Sequence, residues 1–305
     1  MSEYVFLEDH WEETKEFSDE SARNTDNLPL AIDSFTAYLF RDASGKIVHR
    51  YPFSDQHYDV SFLRHYMQYI TRDSVQDMPI NQFKKFLMRM IESSLRKIAS
   101  VRKQVSFLEI GSTLGENYRL IKLLVKELDL DLEVKFVGFE ISSNLVQFSN
   151  LVNRGDPNFI TIIGDASDLS RFPDRCFDFV INQGVANFCH DQKKAFSEIV
   201  RVARLAALVG VQMTLDENPF YLTRDIGYCT FLPTRAVLDE VWQPFAPLYD
   251  YHLATMNWTA TSTSGSGSDR FIGVDPGSIN SVFEYHLIAR PNMFPEMEDL
   301  CRKIS

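Results

Sequence analysis

The chain has 305 residues and a formal net charge of −11, with 45% hydrophobic and 13% aromatic residues. That is enough apolar material for one large domain with an appendage, and it excludes a disordered or fibrous chain. The negative field opposes unassisted binding to nucleic acid or to an anionic membrane, because it repels phosphate.

The excess acidity is local. Residues 1–30 hold nine Asp/Glu against two Lys/Arg and read as an acidic leader with little to pack. No basic region followed by an apolar run is visible, and no uncharged apolar stretch is long enough to span a bilayer, so a cytoplasmic protein is expected. Cys176, Cys189, Cys229 and Cys301 lie far apart and form no CxxC pair, which argues against a zinc site or a disulfide framework and for buried, reduced thiols.

Residues 31–100 read as an accessory N-terminal cap of hairpin and helices. Two β-prone runs, 35–41 and 46–53, flank the turn Asp42-Ala-Ser-Gly45. Helical spacing follows. Phe62, Tyr66 and Tyr69 share one face, while Phe83, Phe86, Leu87, Met90, Ile91, Leu95 and Ile98 share another, with Pro79 suited to the first turn of the second helix.

From residue 101 to 305 the texture changes. Strand-type runs at 105–110, 133–139, 159–163, 177–182 and 205–215 are separated by helical stretches at 118–128, 144–153 and 192–203. Strands spaced by helices imply right-handed crossovers and a doubly wound, mostly parallel α/β sheet covered on both faces. Two further strands, 248–256 and 282–290, bring the sheet to seven and close it with an antiparallel hairpin. Between them lies the Ser/Thr/Gly run 259–268, which cannot pack a core. If the strand before it runs parallel to the sheet, this loop emerges at the ligand edge, where it is placed to act as a lid.

Function is concentrated in Phe107-Leu-Glu109-Ile-Gly111-Ser-Thr-Leu-Gly115-Glu-Asn-Tyr, a strand entering a glycine turn that opens a helix. Glycine lets backbone approach a ligand closely, and a helix N-terminus presents N–H groups to it. The dinucleotide fingerprint needs a glycine where Thr113 stands, so a nicotinamide enzyme is disfavoured. Glu140 ends the second core strand, 25 residues past Gly115, as an acceptor for ribose hydroxyls. Gly164-Asp165-Ala166 follows the third strand, and Asn182 and Gln183 close the fourth. Four consecutive strand ends thus carry polar groups at the carboxyl edge, where open α/β sheets bind ligands.

This pattern resembles the class I S-adenosylmethionine-dependent methyltransferases. The resemblance rests on E-x-G-x-x-x-G at 109–115, the acid at Glu140, G-D-A at 164–166 and F-D-F-V-I-N at 177–182, with 248–290 similar to the family's final hairpin. It implies S-adenosylmethionine as cofactor. Gly111 and Gly115 would hold its methionine moiety, with Glu109 orienting that end, while Glu140 would hold the ribose and Asp165 the adenine, Ala166 contributing backbone. Two departures stand out: Thr113 replaces a common glycine, and Arg204-Leu-Ala-Ala-Leu replaces the Pro-Gly-Gly turn often found before the fifth strand.

Methyl transfer from a sulfonium needs alignment more than a catalytic triad. Acceptor-side candidates are His190, as a proton acceptor or as half of a helix-capping pair with Asp191, and Tyr228, with Phe188, Phe220 and Tyr221 as pocket walls. A small organic acceptor is expected. No run of clustered acids of the kind a polyamine requires is visible along the chain. The alternative is a catalytically silent domain of the same fold, retained for binding or as a scaffold.

Overall fold

The structure is a computed structural model and describes residues 39–41, 47–50, 67, 69, 71–78, 82–189, 191–223, 229–259 and 281–291. The acidic leader, Pro79, His190, Tyr228 and the Ser/Thr/Gly run beyond Thr259 lie outside the described residues. Before the main sheet come the antiparallel strands β1 (Leu39–Arg41) and β2 (Ile47–Arg50) and the helix α1 (Gln82–Ala99).

The main sheet contains β3 (Gln104–Ile110), β4 (Glu133–Glu140), β5 (Phe159–Ile163), β6 (Phe177–Gln183), β7 (Ala203–Thr214), β10 (Asp250–Thr259) and β11 (Ser281–Ala289), in the order β10-β11-β7-β6-β3-β4-β5. β3 to β7 are mutually parallel and β11 is antiparallel to both β7 and β10, so β10 runs parallel with the rest, as the sequence predicts. A separate pair, β8 (Phe220–Thr223) and β9 (Cys229–Leu232), forms in the segment that carries the predicted pocket walls Phe220 and Tyr221.

Of the helices α2 (Glu116–Glu127), α3 (Ser143–Val152), α4 (Gln192–Val202) and α5 (Arg235–Trp242), the first opens directly from the glycine turn and the other three follow capping side chains. Ser142, Asp191 and Thr234 each accept a first-turn backbone N–H with a side-chain oxygen, satisfying a donor the helix leaves open. α4 passes into β7 with no intervening turn, since Val202 ends the helix and Ala203 begins the strand. That direct junction is why the family's Pro-Gly-Gly turn has no counterpart here.

Packing follows from the unbroken apolar strands. On one face, in-register phenylalanines form a row across β6, β3, β4 and β5: Phe179–Phe107 at 5.0 Å, Phe107–Phe136 at 6.1 Å and Phe136–Phe159 at 5.8 Å between ring centroids. The α1 stripe Leu87, Met90, Ile91, Leu95 and Ile98 is buried in that same core, so this helix belongs to the layer that covers β3. On the other face, α4 and α5 bury Phe196, Ile199, Leu238 and Trp242 against Val180, Val209 and Val211.

The amino edge of the sheet is sealed by charge. Asp178, fully buried, accepts from Arg204, from Arg102 at 2.5 Å, and from the backbone N–H of Ser106 at 2.9 Å. Three strands are tied together there. Among the described residues no helix is long and apolar enough to cross a membrane.

Candidate active site

The carboxyl edge is built by glycine turns that begin where the ladder stops. The Gly111 N–H donates to Phe139 O at 2.8 Å and the Gly164 N–H to Glu140 O at 2.8 Å, which carries the sheet bonding one residue past β3 and past β5. After β3 the chain reverses through Gly111 (φ 74), Thr113 (φ 47) and Gly115 (φ 86). Glycine is required at 111 on two counts: the left-handed backbone, and a Cβ that would overlap the Val185 side chain. Thr113 takes the same left-handed region, unusual for a β-branched residue. Two hydrogen bonds compensate: its N–H donates to Glu140 Oε1 at 2.7 Å and its hydroxyl to Glu116 Oε2 at 2.6 Å. The departure from the family pattern thus preserves the turn and adds a bridge between two carboxylates.

Glu140 is 5% exposed. Burial pushes its carboxyl up to about 7, Glu116 adds to that, and the N–H groups of Thr113 and Ile141 hold it back. Glu109, 3% exposed, is also raised well above the ordinary carboxylate range, first by burial and then by Glu116 and Glu140, against the opposing pull of Asn117 and Lys84. Glu109 Oε1 accepts from Asn117 Nδ2, whereas Oε2 is enclosed without a partner, as is Ser112 Oγ in the same turn. Three carboxylates spread along the chain therefore converge on one rim, an acid cluster that the linear sequence does not reveal.

The other predicted residues fall as follows. Asp165 is half-buried and uses Oδ1 to accept from the Ser167 N–H and hydroxyl, at 2.8 and 2.7 Å; Ala166 beside it is buried. Gln183 is exposed at the end of β6 and Phe188 half-buried in the short 3-10 turn Val185–Phe188. Asn182 is fully buried; its Oδ1 accepts the Ala186 N–H at 3.1 Å and its Nδ2 donates to Gly210 O at 3.4 Å, so its side chain braces the turn after β6. Phe220 and Tyr221 lie in β8, paired with Leu232 and Phe231, and their side chains are outside the described set, as are His190 and Tyr228. Asp191, His190's neighbour, is the cap of α4.

Sequence reasoning also passed over Asn187. This buried amide donates to Gln212 O and to Phe231 O, each at 2.7 Å, and accepts the Gln212 N–H at 3.1 Å, fastening β9 to β7. Cys176 and Cys189 are buried free thiols whose pKa burial raises, to about 12 for Cys176. That suits packing rather than nucleophilic chemistry.

Residues 108–208, a third of the chain, match the family described as Methyltransferase domain. The matched span runs from β3 into β7, so the methyltransferase domain it describes is the parallel part of the sheet that carries the acid-bearing rim. No curated protein matches the chain. Solved structures similar to it include phosphoethanolamine N-methyltransferase 2 of Haemonchus contortus in complex with S-adenosylmethionine, at 12% identity over 77% of this chain and 58% of that one, TM-score 0.46. Two others are a putative sarcosine dimethylglycine methyltransferase of Galdieria sulphuraria (12% identity, 67% and 84% covered, TM-score 0.44) and an S-adenosylmethionine-dependent methyltransferase of Mesorhizobium loti (10%, 66% and 98%, TM-score 0.44).

Proposed function

We propose that this protein is a cytoplasmic enzyme that methylates a small organic acceptor, with S-adenosylmethionine lying along the carboxyl rim of β3, β4 and β5. The observation that carries the reading is Glu140, a buried carboxylate at the end of β4 beside a glycine turn. Its cost in buried charge makes sense where a pair of ribose hydroxyls donates to it. The orphaned Glu109 Oε2 and Ser112 Oγ suit the polar methionyl end in the same way.

In this reading Gly111 and Gly115 let the backbone approach the methionyl chain, Asp165 and the Ala166 backbone meet the adenine, Asn182 and Gln183 complete the cofactor edge at the end of β6, and Phe188 walls the acceptor pocket. The bound cofactor supplies an electrophilic methyl group on a good leaving group. The protein's part is to hold acceptor and methyl in line and to exclude water, which is worth several kcal/mol and up to about 7–11 in model reactions.

Calorimetry with S-adenosylmethionine tests the cofactor. Incubation of the protein, methyl-labelled cofactor and a cell extract tests the acceptor: label should enter the small-molecule fraction. Label confined to protein or nucleic acid refutes the acceptor class, and binding without any transfer favours the silent alternative.

A further inference from the structure

Lys84 stands outside the matched domain, on α1, yet its chemistry belongs to the rim. It occupies the buried stripe of that helix, one turn before Leu87 and two before Ile91, and is 3% exposed. A buried ammonium persists only where partners replace water. Its Nζ lies 3.4 Å from Asn117 Oδ1 and 4.6 Å from the Tyr69 ring centroid. Asn117, 0% exposed, in turn donates from Nδ2 to Glu109 Oε1. This chain has one consistent polarity: an ammonium only donates and a carboxylate oxygen accepts, so the amide oxygen must face Lys84 and the amide nitrogen must face Glu109.

We infer that Lys84 is a positioning residue of the cofactor site: acting through Asn117, it fixes Glu109 so that Oε2 stays available as the acceptor for the ammonium of the methionyl end. The helix preceding the methyltransferase domain thereby completes that domain's own site. The inference rests on the cofactor reading above and adds to it a residue that no rim motif contains.

Three features of the geometry support it. Oε2 is enclosed and has no partner, although Oε1, on the same carboxyl, is satisfied. The charged groups acting on Glu109 are Glu116 on α2, Glu140 on β4 and Lys84 on α1, so Lys84 supplies the opposing charge in an otherwise acidic pocket. Tyr69 lies under the ammonium and senses Glu116, which joins the segment before α1 to the same cluster.

The test combines Lys84→Met, Asn117→Leu and the double variant in the full chain. Cofactor affinity is read by calorimetry, folding by thermal unfolding, and Glu109 by carboxyl-carbon NMR titration without ligand. Each single variant should weaken binding about tenfold, and the double by little more than either, because both break one relay. Lys84→Arg should restore affinity to within a few-fold, and Lys84→Met should shift the Glu109 titration upward. If Lys84→Met fails to fold, Lys84→Gln takes its place with the same expectations. Singles whose effects multiply to about a hundredfold, or a folded Lys84→Met with wild-type affinity and an unmoved Glu109, overturn the inference alone. A wild-type chain that binds no S-adenosylmethionine overturns the cofactor reading, and this inference with it.

Discussion

The two edges of the parallel sheet treat buried charge in opposite ways. At the amino edge, Asp178 is enclosed by Arg204, Arg102 and the Ser106 N–H and hydroxyl, so opposite charges and donors meet in full. At the carboxyl edge, Glu109, Glu116 and Glu140 face one another, one carboxyl oxygen has no partner, and both Glu109 and Glu140 are raised. The amino edge is closed by its own residues; the carboxyl edge leaves Glu109 Oε2 and Ser112 Oγ without partners among the described residues, the groups the proposed cofactor would meet. The same fold therefore separates stability from binding along the strand direction.

That contrast is open to direct attack. Asp178→Ala should have the largest effect, a loss of about 3–5 kcal/mol in denaturant unfolding, because it strands a buried guanidinium. Cofactor affinity of the folded fraction should be unchanged. Glu140→Gln should do the reverse. With Glu140 at about 7 against an ordinary 4.5, the folded protein holds that proton more tightly than the unfolded chain, so the wild type loses stability as pH rises from 4.5 through 7. The variant should be more stable than wild type at alkaline pH, by at most about 3 kcal/mol, and no more stable in acid, while binding the cofactor more weakly.

A third expectation sharpens the comparison without mutation. If ribose hydroxyls donate to Glu140 as proposed, they compete with its proton, so calorimetric affinity should rise with pH up to about 7 and level off beyond. Affinity that falls over that range would remove Glu140 from the ribose. The smallest effect belongs to the amino edge again: Tyr249→Phe deletes a hydrogen bond of 2.6 Å to Ala203 O and should cost about 1 kcal/mol with no change in binding.

Much of this architecture was legible in the sequence because the strands are apolar on both faces. The span 159–163 is found with the bounds predicted, and the other core strands differ by a residue or two at most ends. The rim acid Glu140 was legible for a local reason, since a strand, its terminal carboxylate and the next turn are contiguous. Local reasoning failed where partners are distant. Asp178 interrupts an apolar strand, a visible sign of a buried charge, but Arg204 and Arg102 lie 26 and 76 residues away. Lys84 was legible only as a lysine on a buried helical stripe. β8, β9 and α5 were missed because aromatic residues in a short segment look alike in a pocket wall and in a strand, and two helical turns give little periodicity.

The placement of β11 has a consequence for synthesis. It enters between β7 and β10, pairing from Ser281 with Thr214 to Ala289 with Ala206 on one side and from Val282 with Thr259 to Ala289 with Asp250 on the other. Both neighbours leave the ribosome earlier and wait with open edges, each a template for unwanted strands. A nascent chain stalled just short of β11 should therefore be the form most dependent on chaperones, and the sheet can close only when that strand arrives.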